Sequence, residues 1–85
     1  MDTNETQVDA LTSALADTLT AERSAARLTR GELAKRAGLS EVALGRYERG
    51  ERDVPYKTLA QLAGALGYKP SELMAAAEAR AERRS

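Results

Sequence analysis

Eighty-five residues, 42% of them hydrophobic, supply the core of one domain and no more. With no Cys, His or Trp, the chain has no disulfide, thiol nucleophile, His acid–base pair or Cys/His zinc site, so apolar packing must hold a fold this small. Its 13 basic and 13 acidic residues cancel in sum but not in place: residues 1–22 carry five acids and no base, and residues 23–57 carry nine bases against five acids.

The first helix is expected from about Thr6 to Ala25, because Val8, Leu11, Leu15 and Leu19 recur at three- and four-residue spacing along one face. Thr29 opens the second. Its hydroxyl is placed to accept the Glu32 N–H while the Glu32 carboxylate reaches back to the Thr29 N–H, and Leu28 and Leu33 hold the positions of a hydrophobic staple. That helix runs through Leu33, Ala34 and Ala37 to Gly38, where a left-handed residue is tolerated. Ser40 then repeats the cap and Leu39 with Leu44 the staple, and this third helix ends at Gly50. A polar loop over 51–55 leads to a fourth helix near Tyr56–Leu66. Leu59, Leu62, Ala63 and Leu66 give it an apolar stripe, and Gly67 closes it. Pro70 suits the first turn of a fifth helix with Tyr68 and Leu73 as its staple, which is expected to fray among Arg80, Glu82, Arg83 and Arg84. β-Branched and aromatic residues are scarce and never alternate, so strands are not expected. The fold class is all-α, with five helices joined by short links.

Only Gly38-Leu39-Ser40 separates the second helix from the third. Two helices joined by so short a turn containing Gly cross steeply, which needs a small residue where the backbones approach, and Ala34 is well placed. Leu33, Ala37, Leu39, Leu44 and Tyr47 would form the shared seam. The run from about Thr29 to Arg49 therefore reads as a helix-turn-helix. The Glu32-Leu33-Ala34 run, the Ala37-Gly38-Leu39-Ser40 turn, the Tyr47-Glu48-Arg49-Gly50 helix end and the Leu62-Ala63-Gly64-Ala65-Leu66-Gly67 segment resemble the phage-repressor/Cro-like, or xenobiotic-response-element, family of transcriptional regulators. The resemblance spans roughly Leu15 to Met74. It implies a compact, five-helix, lambda-repressor-like DNA-binding domain with the helix-turn-helix at helices two and three. The expected divisions are an acidic N-terminal extension over 1–10, a DNA-binding domain over 11–76, and a C-terminal helix end or tail over 77–85.

The resemblance also implies that Ser40 to Arg49 is a recognition helix in the major groove, its N-terminal half, Glu41, Val42 and Ala43 with Arg46, supplying base contacts. A helical wheel with Leu44 inward independently turns Val42, Arg46 and Arg49 outward and Tyr47 and Glu48 toward the core. Arg46 can bond O6 and N7 of one guanine, or it can contact a phosphate. Val42 suits a thymine methyl or partial packing. Glu41 sits where a carboxylate favours the helix dipole, and it could instead accept from cytosine N4. Gly45 would allow close approach to the bases, and helix packing explains it nearly as well. The resemblance implies a backbone phosphate contact for Arg30. Ser40, Arg49, Arg52, Tyr56 and Lys57 are the other phosphate candidates: each alone is more often a solvated residue, but as a cluster around two helix starts and one loop they read as an electrostatic footprint. An inward Glu48 requires a partner, and the resemblance places Arg23 beside it as a structural pair.

One helix-turn-helix makes few base contacts, and such modules act as dimers on half-sites about 34 Å apart. The expected partner is therefore double-stranded DNA carrying an inverted repeat, bound by a homodimeric repressor. Tyr68, Leu73 and Met74 are the candidate dimer residues. A phage or prophage repressor, an antitoxin and a restriction-modification controller all fit these features. A protein-interaction module that does not read DNA is the competing class, supported by the zero net charge and the acidic start. No catalytic, metal or cofactor site and no small-molecule effector is expected. Without a long apolar span or a basic N-terminus, the protein is expected in the cytoplasm.

Overall fold

The computed structural model describes residues 3–84, so Met1 and Asp2 of the expected extension and Ser85 of the expected tail lie outside the described residues. Five helices follow one another: α1 (Thr3–Ala25), α2 (Arg30–Ala37), α3 (Glu41–Glu48), α4 (Tyr56–Ala65) and α5 (Pro70–Arg84). No strand occurs among the described residues. The expected boundaries at 10/11 and 76/77 both fall inside continuous helices.

The helix ends follow their capping chemistry. At α2 the box is complete, with the Thr29 N–H donating to Glu32 Oε1 at 2.8 Å and the Glu32 N–H donating to Thr29 Oγ1 at 3.1 Å. Ser40 caps α3 by accepting the Ala43 N–H at 3.0 Å. Glu72 reaches back to the Lys69 N–H at 2.7 Å, and Pro70 takes the first position of α5. Helices α1 to α4 all close with a backbone bond spanning five residues, from Leu28 to Arg23, Leu39 to Ala34, Glu51 to Arg46 and Tyr68 to Ala63. Such a closure needs one residue in the left-handed region. Gly38, at φ 76°, supplies it in the helix-turn-helix, whereas α1 uses Arg27, at φ 59°, with a side chain where a glycine is favoured.

Leu19, Leu33, Leu44, Leu62 and Leu73 are fully buried and form one core with Ala34, Ala37, Tyr47, Leu59 and Ala63. Each such leucine contributes about 1.5–3 kcal/mol relative to exposure. Helix α2 packs on α3 and α4, α1 lies against α5 and α3, and α4 packs on α5. These contacts leave one side of α3 in solvent.

Two expectations are corrected. Leu73 is not a dimer residue: the staple position at the start of α5 turns it into the core, where it has no exposure. Nor does α5 fray at Arg80, because the helix continues to Arg84. Ala77 is fully buried, Arg80 Nε donates to Thr18 Oγ1 at 3.1 Å, and Arg84 pairs with Asp17. Tyr68 is 39% exposed and its hydroxyl donates to Glu22 Oε1 at 2.6 Å, while Met74 is half-buried against the core. Asp17 and Glu22 of the acidic first helix thus bond to groups in or just before α5.

Candidate nucleic-acid interface

Helix α3 has two faces of different chemistry. Leu44, Tyr47 and Glu48 are buried, whereas Glu41, Val42, Arg46 and Arg49 face solvent and Ala43 lies between. Val42 is 66% exposed, a large apolar side chain left outside the core.

The inward face is fixed by charge as well as by leucines. Glu48 Oε2 accepts from Arg23 Nε at 2.8 Å and its Oε1 accepts from Arg23 Nη2 at 3.1 Å, with the carboxylate side chain only 1% exposed. Arg30 Nε, at the first position of α2, donates to the same Oε1 at 3.1 Å. Arg23 Nη1 bonds the Leu28 carbonyl at 3.0 Å, tying the α1–α2 link into the cluster. The Glu48 hydrogen bond holds the Arg23 guanidinium above its ordinary range, against the opposing effect of burial. One buried carboxylate therefore joins the end of α1, the start of α2 and the end of α3. Sequence reading paired Glu48 with Arg23 alone; Arg30, eighteen residues away on another helix, carried no local signal.

On the outward side, Arg30, Glu41, Val42, Gly45 and Arg49 line one cleft between the start of α2 and the face of α3. Arg49 Nε donates to Glu51 Oε2 at 2.8 Å across solvent-exposed side chains. That hydrogen bond holds the Glu51 carboxyl below its ordinary range and the Arg49 guanidinium above it. Ser40 is exposed, with its hydroxyl engaged in the α3 cap. Arg52, Tyr56 and Lys57 are exposed on the loop after α3 and the first turn of α4, which no side chain caps. Arg52 and Tyr56 do not join the Arg30 cleft; they border a separate apolar hollow with Leu11, Leu15 and Met74. Among the described residues no acidic cluster is suited to a metal ion, and no helix is long and apolar enough to cross a membrane.

Comparison with known proteins agrees with this architecture. A family model described as a helix-turn-helix domain matches residues 14–77. A crystal structure of the clp gene regulator ClgR from Corynebacterium glutamicum superposes with a TM-score of 0.81 at 28% identity, over 87% of this chain and 79% of that one. A second ClgR structure from C. glutamicum gives a TM-score of 0.73 at 31% identity, over 79% of this chain and 87% of that one. No curated protein matches the sequence.

Proposed function

The chain belongs to the helix-turn-helix domain family, and from that membership we propose that it is a sequence-specific, double-stranded DNA-binding transcriptional regulator of the phage-repressor/Cro-like type. The observation that carries this reading is the division of α3: one face is locked into the core through Leu44, Tyr47 and Glu48, and the other offers Val42, Arg46 and Arg49 to solvent. A reading helix needs that combination, since a side chain can discriminate bases only if its backbone is held in register with the groove.

In this proposal α3 enters the major groove with Glu41, Val42, Ala43 and Arg46 toward base edges. Arg30, Ser40, Arg49, Arg52, Tyr56 and Lys57 meet backbone phosphates. The DNA-binding unit is residues 11–76, and it works as a homodimeric, non-enzymatic repressor on an inverted repeat in the cytoplasm. Tyr68 and Met74 remain as dimer residues on the α4–α5 side, supported by the partial exposure of Tyr68. The similarity to a protein described as a clp gene regulator supports gene regulation over a pure protein-interaction role.

Selection of duplexes from a random library on the immobilised protein, followed by sedimentation of the complex, tests this reading. An enriched inverted repeat bound by two chains is the expected result. Absence of any enriched sequence at low salt would overturn the reading.

A further inference from the structure

Gly45 lies in the middle of α3, where glycine is the least favourable residue apart from proline. What a side chain there would meet is charged. The three atoms nearest to a Cβ built there all belong to guanidinium groups: Arg49 Nη1 at 3.0 Å, Arg30 Nη1 at 3.5 Å and Arg49 Cζ at 3.6 Å. Gly45 is buried, and the nearest cover over it is two arginine side chains from different helices instead of apolar core.

Both arginines are held in place from behind. Arg30 hydrogen-bonds Glu48 through Nε, and Arg49 hydrogen-bonds Glu51 through Nε and Nη2. The Nη1 groups of both are turned to the same point above the Gly45 backbone. Val42 and Glu41 form the rest of the cleft wall. Each guanidinium already has a carboxylate partner, Glu48 for Arg30 and Glu51 for Arg49, and the Glu41 carboxylate stands in the same cleft wall. The site is therefore close to charge-balanced, and the pull on an anion comes from the two converging Nη1 groups. An anion seated over Gly45 would accept from both Nη1 groups at once, in the charge-assisted geometry that favours arginine for phosphate.

We propose that Arg30 and Arg49 form a single phosphate clamp floored by Gly45, which seats one DNA backbone phosphate between the start of α2 and the recognition helix. This inference rests on the DNA-binding reading above and deepens it, making Gly45 the residue that positions the clamp. A methyl group at Gly45 would stand 3.0 Å from Arg49 Nη1 and 3.5 Å from Arg30 Nη1, on the side from which the clamp would hold the phosphate, and would press on Arg49.

The test uses the full chain and a duplex enriched by selection, with affinity measured by fluorescence anisotropy over a range of salt. In Gly45→Ala the nearest contacts of the new methyl are the guanidinium groups of Arg49 and Arg30. A shift of a few tenths of an ångström by the half-exposed Arg49 side chain accommodates it, so the variant is expected to fold. Removing the mid-helix glycine should raise its melting temperature by about 4–8 °C. Its affinity should fall at least tenfold, and the slope of log affinity against log salt should shrink by about one phosphate. A second measurement combines Arg30→Gln with Arg49→Gln, each shown to be folded at the assay temperature. Because one phosphate serves both, the double variant should lose little more than the weaker-binding single variant. Wild-type affinity in Gly45→Ala, or losses that multiply in the double variant with a slope reduced by two, would overturn the clamp and leave DNA binding standing. A wild-type chain that binds no duplex would overturn both.

Discussion

Replacing Glu48 with Gln removes one charge from the joint between α1, α2 and α3 while keeping the shape of the side chain, so no cavity complicates the result. The carboxylate is 1% exposed, Arg23 is 16% exposed and Arg30 is 35% exposed. The Arg30 contact is screened by water and counts for about 0–1 kcal/mol. The two Arg23 bonds are sheltered; an amide keeps one as an ordinary acceptor and turns an N–H₂ group against the guanidinium in the other. Breaking a buried pair by losing one partner costs about 3–5 kcal/mol, and the retained acceptor puts Glu48→Gln near the lower end. For a chain of this length total stability is about 4–13 kcal/mol, so the loss is a large share of it. Urea denaturation followed by circular dichroism should show the midpoint falling at unchanged slope, with a thermal midpoint lower by about 12–24 °C. The double variant Arg23→Met with Glu48→Leu should recover much of the loss, because an apolar pair has no stranded charge. A loss below about 1 kcal/mol for Glu48→Gln would refute the reasoning, since the joint would then behave as a surface ion pair.

Arg27→Gly should stabilise the protein by about 0.5–1 kcal/mol by relieving a left-handed arginine at the end of α1, while Gly38→Ala should cost about 1–2 kcal/mol at the equivalent position of α2. Paired thermal melts read both signs. Stability should also decline on the acid side. The Thr29 N–H holds the Glu32 carboxyl below its ordinary range, so its contribution is present at neutral pH and is lost as pH falls through the lowered folded value. Glu32→Gln keeps an acceptor for the cap without titrating, so the wild-type advantage in stability should shrink below about pH 4, as urea melts at several pH values would show.

The parts of the fold that were legible in the sequence are those whose causes are local. The Thr29–Glu32 box, the Ser40 cap and the glycines at 38, 50 and 67 each act within six residues, and they set the ends of α2, α3 and α4. The outward turn of Val42, Arg46 and Arg49 followed from periodicity once Leu44 was taken as buried. What local pattern could not supply was contact across the chain. The charged end of α5 reads as a fraying terminus, yet Thr18 and Asp17 of α1 hold its arginines. Leu73 was given two roles, staple and dimer residue, and these are incompatible because a staple leucine points inward. Arg27 carries no sequence signature of a left-handed turn, since that position ordinarily shows Gly. The cleft over Gly45 arises only when α2 and α3 are packed together.

The most direct test of the central claim, that the outward face of α3 reads bases, is a binding cycle on the selected duplex. Wild type and Arg46→Ala are each titrated against that duplex and against variants with single guanines replaced. At one guanine in each half-site, replacement should cost the wild type about 1–3 kcal/mol and cost Arg46→Ala almost nothing. Equal penalties for the two proteins at every guanine would contradict the account, because Arg46 would then be holding the backbone without reading the sequence.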